Sequence, residues 1–225
     1  MEIADLTYSF NIFLVILVAT VLAISGLKKQ PGIGVLVALL IIFLQLASQE
    51  KSLKEIGFIA PENWLNTILS GLGFGILIQA LSVTLIEPIS EKITRQKHDH
   101  SLINAVKGNW KIYLLWLMMV WLLVAIIEEA IFRGYFIVGL TSIFENKIIG
   151  NLVSILMSSF VFGLSHGYQN RSGVMSTGIV GLILGIIFVS SDYNLWLVIF
   201  THGFIDTVGI SLVALDYDQK LRIRI

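Results

Sequence analysis

The chain has 225 residues, of which 56% are hydrophobic and 13% charged, and its mean hydropathy is +0.87. Because a soluble domain carries roughly 25% charged residues, this chain has too few polar side chains to cover a core in water. Its formal net charge of zero argues against a nucleic-acid partner, and the lack of cysteine excludes disulfides, thiolate metal sites and cysteine nucleophiles.

The apolar stretches predict an all-α, polytopic membrane protein with a bundle of about seven transmembrane helices, since a span needs about 20 mainly apolar residues. The predicted spans are residues 8–27, 32–48, 64–86, 110–139, 148–166, 174–190 and 195–215. Pro31 and Gly32 indicate a tight turn between the first two. We expect one integral-membrane domain, in which N-terminal spans and loops (1–109) precede a core (110–215) and a short polar tail (216–225).

The connections between spans are of two kinds. Residues 49–63, with the sequence QEKSLKEIGFIAPEN, predict a short amphipathic helix at the membrane interface. Residues 87–109 form the longest predicted polar loop, and we expect His98 and His100 in it to be solvated beside Asp99.

Small residues predict where helices can approach closely. They repeat in the third and sixth predicted spans, as Gly71, Gly73 and Gly75, and as Gly178, Gly181 and Gly185. We interpret both sets as helix-packing faces.

The distribution of Lys and Arg predicts the orientation, because cytoplasmic loops carry an excess of both residues. With an outside N-terminus and seven spans, and with Arg133 set aside because it lies within a span, eleven of these residues lie on the cytoplasmic side and three outside. The eleven are Lys28, Lys29, Lys92, Arg95, Lys97, Lys107, Lys111, Arg171, Lys220, Arg222 and Arg224, and the three are Lys51, Lys54 and Lys147. We therefore expect a multi-pass cell-membrane protein with its N-terminus outside and its C-terminus cytoplasmic.

Three late spans contain polar residues that lipid-facing helices avoid. They are Glu128, Glu129 and Arg133 in LLVAIIEEAIFRG, His166 in SSFVFGLSHG, and His202 and Asp206 in LWLVIFTHGFIDTVG. Residues four apart share a helix face, so Glu129 can form an ion pair with Arg133, and His202 and Asp206 can face one cavity. Glu128 lies about 100° around the helix and has no partner in its own span.

This set of side chains is typical of a hydrolytic site, with a base, imidazoles and a group that holds charge. The zincin motif H-E-x-x-H is absent, and Ser165 lacks the context of a serine nucleophile elbow. No aspartyl pair occurs within the spans, because Asp216 and Asp218 belong to the tail.

The ordered motifs E-E-x-x-x-R (Glu128, Glu129, Arg133), F-x-x-x-H (Phe162, His166) and H-x-x-x-D (His202, Asp206) resemble those of the CPBP family. This family comprises CAAX prenyl endopeptidases and bacteriocin-processing enzymes, once called Abi proteins. The resemblance covers roughly residues 110–215. It implies an intramembrane endopeptidase with a membrane-associated peptide or protein substrate, such as a prenylated protein or a bacteriocin precursor, and a role in CAAX-type processing, bacteriocin maturation or self-immunity.

The resemblance also implies roles for individual residues. Glu128 would activate water, His166 would share that water, and His202 with Asp206 would stabilise the oxyanion. The family accepts Asn or Asp at position 206. Because an ionised Asp206 would repel an oxyanion, it would have to be protonated, orient His202 from behind, or bind a metal.

The remaining motif residues would support this chemistry. Glu129 and Arg133 would hold the helix and orient Glu128, and Phe162 would pack beside His166. The family is also described as a metalloprotease family, and Glu128, His166 and His202 could bind a divalent ion such as zinc. We favour metal-free catalysis.

Two alternatives remain open from the sequence. One is a non-catalytic immunity or partner-binding membrane protein, and the other is a transporter or proton relay. The predicted positions of the motif residues along the membrane normal also disagree. His166 lies near the inner end of its span and Glu128 and His202 lie nearer the outer half, so straight parallel helices would not bring them to one level. The site requires helix tilt, a break around Gly163 or Gly167, or a longer fifth span.

Overall fold

The structure is a computed structural model that describes residues 12–217 and residue 221. This part of the chain consists of helices and turns and contains no strand, which confirms the predicted all-α class. The predicted start of the first span at residues 8–11 lies outside the described residues. So do residues 218–220 and 222–225 of the predicted tail.

Seven long helices are present in the described part. They are α1 (Ile12–Leu27), α2 (Pro31–Ser48), α3 (Trp64–Thr94), α4 (Trp110–Thr141), α5 (Lys147–Ser165), α6 (Gly167–Ser190) and α7 (Leu195–Ala214). By length and composition, the six helices α2 to α7 could cross a membrane, which is close to the predicted seven spans. Helix α1 is apolar but has only 16 described residues.

Asparagine caps the start of four of these helices. The side-chain oxygens of Asn63, Asn109, Asn146 and Asn194 accept hydrogen bonds from backbone N–H groups in the first turns of α3, α4, α5 and α7. These bonds satisfy donors that a helix start otherwise leaves unpaired. Helix α2 begins instead with Pro31, whose fixed φ suits the first helical position.

Both predicted connections differ from expectation. The segment 49–63 contains only a 3₁₀ turn, Leu53–Ile56, rather than an amphipathic helix. Ile56 is buried, and its carbonyl oxygen lies so close to Gly134 that a β-carbon there would clash. Helix α3 continues to Thr94 and shortens the predicted polar loop to residues 95–109, which include the 3₁₀ turn Ser101–Val106.

The predicted glycine faces lie at helix contacts, with one exception. On α3, a β-carbon at Gly71 would lie 2.5 Å from Cβ of Phe200, and one at Gly75 would lie 2.5 Å from Cβ of Phe204. Gly73 faces open space, so its predicted packing role is wrong. Three glycines of α6 likewise face α5, namely Gly178, Gly181 and Gly185.

Helix α5 ends beside the middle of α4, so His166 and Glu128 lie at the same level of the bundle, contrary to the expectation from straight, parallel spans. The Ser158 hydroxyl donates a 2.7 Å hydrogen bond to the Phe132 carbonyl, so His166, two turns further on, reaches the level of Glu128. Helices α4 and α7 continue past this point side by side. Trp121 Nε1 donates to Thr207 Oγ1 at 3.0 Å in this stretch. The helices are offset along the bundle, so α5 needs no break.

Candidate active site

A cavity of about 300 Å³ lies between α3, α4, α6 and α7, and is also lined by the C-terminal end of α5 and by the 95–109 loop. Its size is at the lower end of the range for small-molecule sites. Residues from all three motif helices line it, namely Glu128, Phe162, His166, His202 and Asp206. The structure therefore brings the sequence-predicted residues to one cavity.

Glu128 lies between the two histidines of the motifs. Its Oε2 is 3.9 Å from Nε2 of His166 and 4.0 Å from Nε2 of His202. This oxygen is buried and makes no hydrogen bond within the described part of the chain. Either separation leaves room for a water oxygen at roughly 2.8 Å from both Oε2 and the imidazole nitrogen.

Glu129 links α4 to α7 as well as pairing within α4. Its Oε1 accepts a 2.9 Å hydrogen bond from Nη1 of Arg133, and both side chains are fully buried. The same oxygen lies 2.7 Å from Nδ1 of His202. Because an ionised carboxylate can only accept, Nδ1 carries the proton and Nε2 faces the cavity. The i, i+4 spacing predicts the ion pair, but no sequence signal reveals the contact with His202.

Arg133 reaches α6 and the aromatic residue of the second motif. Its Nη2 donates to the Gly181 carbonyl at 3.2 Å, and its guanidinium carbon lies 4.5 Å above the Phe162 ring. A β-carbon at Gly181 would lie 2.9 Å from Cδ1 of Phe162, so this position has little room for a side chain. The sequence indicates only that Gly181 is a packing residue.

His166 is held in the same way as His202, but by a backbone acceptor. The Phe162 carbonyl lies 2.8 Å from its Nδ1 and can only accept, so Nδ1 donates. The Phe162 ring packs edge-to-face on the imidazole, with 4.6 Å between centroids. Both histidines therefore present Nε2 to Glu128.

Asp206 lies on the cavity side of His202. Its Oδ2 is 3.6 Å from Nε2 of His202, whereas Glu129 occupies the Nδ1 side. Of the roles predicted for Asp206, orientation of His202 from behind is therefore wrong. That role belongs to Glu129.

Ser165 is a structural residue. The stretch GLSHG, residues 163–167, matches the letters of the G-x-S-x-G nucleophile motif, but that motif requires a turn between a strand and a helix. Here it lies at the end of α5, and the Ser165 hydroxyl donates to the Phe162 carbonyl at 2.7 Å.

The cavity also contains residues that the motifs do not indicate. Tyr168 lies with its ring centroid 5.6 Å from that of His166, and Gln79 enters from α3. The loop residues His98 and His100 line the same cavity and are half-buried, so the prediction that they are solvated is wrong. Both histidines lie far from the three motifs in sequence, so no motif predicts that they line this cavity.

The residue types of Glu128, His166 and His202 suit a divalent ion, but Glu128 Oε2 lies 3.9 and 4.0 Å from the two Nε2 atoms, farther than the roughly 3.3 Å between two ligands of a tetrahedral zinc. Metal-binding histidines typically donate their second ring N–H to a carboxylate or a carbonyl. His202 has the Glu129 carboxylate in this position, and His166 has the Phe162 carbonyl.

Residues 109–208 match the model of a protein family described as type II CAAX prenyl endopeptidase Rce1-like. The matched stretch contains all three motifs and nearly all of the predicted core. No curated protein and no solved structure matches the chain significantly. The family match confirms the resemblance predicted from the motifs.

Proposed function

We propose that this chain, whose residues 109–208 belong to the CPBP family of intramembrane proteases, hydrolyses a peptide bond of a membrane-associated substrate with a water activated by Glu128. The observation that carries the proposal is the convergence of three helices on one buried oxygen. Glu128 Oε2 lies within 4.0 Å of Nε2 of both His166 and His202. A packing role explains one polar side chain in an apolar helix, but not three that face each other across a cavity.

In the proposed reaction, the Glu128 carboxylate takes a proton from water as the water oxygen attacks the peptide carbonyl carbon. The carbonyl π electrons move to oxygen and form the oxyanion. When the carbon–nitrogen bond breaks, the proton returns from Glu128 to the leaving amine. A positioned base of this kind typically contributes about 10²–10⁴-fold.

The two histidines have different partners and therefore different tasks in this proposal. His166 orients the water through Nε2. His202, when protonated at Nε2, donates to the oxyanion while Glu129 holds its Nδ1 at 2.7 Å. Asp206 stabilises the oxyanion only when its carboxyl group carries a proton, because an ionised carboxylate would repel the oxyanion.

A metal-dependent variant of the reaction uses the same residues. Glu128, His166 and His202 would hold the ion, which would supply Lewis-acid activation of the water. We favour the metal-free form because the 3.9 and 4.0 Å separations suit a shared water. Ligands of one tetrahedral zinc lie roughly 3.3 Å apart.

The proposed substrate is a peptide with apolar side chains at the scissile bond. Apart from its polar clusters, the cavity has apolar walls, formed by Val120, Val124, Phe162, Val180, Leu184 and Ile205. The family match favours a prenylated CAAX-type substrate. Bacteriocin maturation and self-immunity are the second candidate roles within the same family.

The test uses Glu128→Gln, which preserves size and hydrogen bonding but removes the base. In liposomes with a farnesylated CAAX peptide, we expect cleavage to fall about 10²–10⁴-fold, while the melting temperature in detergent stays at the parental value. Glu62→Gln is the matched control, because Glu62 is exposed and outside the cavity. It should cleave at the parental rate.

Two results would change the proposal. Parental cleavage by Glu128→Gln would exclude glutamate-activated hydrolysis. Cleavage of a bacteriocin precursor in place of the farnesylated peptide would keep the mechanism and replace the substrate class.

A further inference from the structure

A second cluster of ligand-type side chains lies in the wall of the same cavity. Glu87 on α3, and His98 and His100 in the 95–109 loop, each offer one ligand atom, and these atoms all lie within 4.8 Å of one another. Among residues 12–217 and residue 221, no other group of three or more His, Cys, Asp or Glu side chains has its ligand atoms this close together. The set Glu128, His166 and His202 does not meet this limit.

We propose that Glu87, His98 and His100 bind one divalent transition-metal ion of the zinc type. Two imidazoles and one carboxylate are a common ligand set for zinc, with water in the fourth position. Nε2 of His100 lies 3.5 Å from Oε2 of Glu87, close to the roughly 3.3 Å that separates two ligands of a tetrahedral zinc. This inference does not depend on the proposed peptidase activity.

The surroundings of the cluster favour a positioned site over a solvated surface group. The Glu87 residue is only 5% exposed, and Ser82 Oγ lies 3.5 Å from its Oε1. On the other side, Ser176 Oγ lies 3.2 Å from Nδ1 of His98. A hydroxyl in this position can orient a ligating imidazole, as groups outside the ligand set do in other metal sites.

Binding requires one adjustment of the two imidazoles. The rings of His98 and His100 are stacked with centroids 4.3 Å apart and an angle of 8° between their planes. The lone pair of a ring nitrogen lies in the ring plane, so two parallel rings cannot both point at one ion. One ring must turn about its Cβ–Cγ bond, and the ion therefore replaces the stacking contact.

A metal here would fasten the 95–109 loop over the cavity. The loop already contacts the start of α6, where the Asp99 N–H donates to the Gln169 carbonyl at 3.2 Å and the Arg171 N–H donates to Gln96 Oε1 at 3.0 Å. Glu87 would add a link to α3 through the ion. The inferred role of the ion is to hold this loop against α3 and α6.

The experiment measures metal binding to the full chain in detergent, after removal of metal with a chelator. Titration with Zn²⁺ by calorimetry should give one ion per chain, and Co²⁺ should give a visible absorption band typical of nitrogen and oxygen ligands. Zn²⁺ should also raise the melting temperature, because a ligand that binds the folded state stabilises it. The variants His98→Gln, His100→Gln and Glu87→Gln should each weaken binding at least about tenfold.

The matched controls are His166→Gln and His202→Gln, which change the other histidine pair in the same cavity. They should bind Zn²⁺ like the parent. Loss of binding in these controls, with retention in the variants of Glu87, His98 and His100, would move the ion to the Glu128 site and overturn the inference. Absence of Zn²⁺ and Co²⁺ binding to the parent would also overturn it. If one of the three variants at Glu87, His98 and His100 fails to fold, the other two decide the result.

Discussion

Replacement of Glu129 by alanine should separate the stability of the site from its chemistry. The Glu129 carboxylate oxygen Oε1 accepts from Arg133 at 2.9 Å and lies 2.7 Å from Nδ1 of His202. Glu129→Ala therefore removes the partner of a fully buried guanidinium and the acceptor that orients a histidine. No other described carboxylate forms an ion pair with Arg133.

The expected magnitude follows from burial. Arg133 is 0% exposed, and removal of one partner of a buried ion pair typically costs about 3–5 kcal/mol. The Gly181 carbonyl remains as an acceptor at 3.2 Å, which places the cost toward the lower part of that range. For a chain of this size, 1 kcal/mol shifts the melting temperature by about 2–4 °C. The melting temperature should therefore fall by roughly 6–15 °C.

The assay compares three variants in detergent: Glu129→Ala, Arg133→Met, and the double variant. Apolar replacement of both partners of a buried pair is often neutral or stabilising, so the double variant should recover most of the lost stability. It should not recover cleavage, because His202 still lacks its acceptor. Recovery of stability without recovery of cleavage would show that Glu129 has two separate roles, one in its contact with Arg133 and one in its contact with His202.

Two results would refute this reasoning. A Glu129→Ala protein that melts like the parent would show that Arg133 is not a buried, uncompensated charge. A double variant that regains full cleavage would show that the contact between Glu129 and His202 has no role in the reaction.

Further predictions concern topology, packing and the oxyanion side of the site. Reporter fusions after Lys29 and near Arg95 should report the cytoplasm, and an external signal at either would contradict the predicted orientation. Gly75→Ala should destabilise the protein by about 1–3 kcal/mol by thermal melting, because its β-carbon would lie 2.5 Å from Cβ of Phe204 on α7. Gly73→Ala, with open space, should be neutral or stabilise by up to about 1 kcal/mol, and equal effects at both glycines would contradict the predicted contact. Asp206→Asn should retain cleavage because an amide can donate to an oxyanion, whereas loss of cleavage would indicate that the carboxyl group itself is required.

Patterns within a single helix were enough to predict much of the fold. Long apolar stretches predict helices because every backbone polar group in a bilayer must be satisfied within the protein. For this reason the predicted spans agree with helices α2 to α7 in order and in most of their bounds, although α3 ends eight residues later and α6 begins seven residues earlier than predicted. The i, i+4 spacing also determines the Glu129–Arg133 pair, because residues four apart share one face of a helix.

Contacts between helices depended on the tertiary structure. The sequence contains no signal for the offset that ends α5 beside the middle of α4, and this offset allows His166 to face Glu128 at 3.9 Å. It likewise contains none for the 2.7 Å contact between Glu129 and His202.

The loop histidines illustrate the same limit. By composition, the polar stretch at 87–109 predicts solvated side chains, yet α3 continues to Thr94 and the shortened loop brings His98 and His100 against Glu87. Their burial depends on how far the helices extend past one another. Periodicity within one segment does not contain that information, because it is decided by side-chain packing between segments distant in sequence.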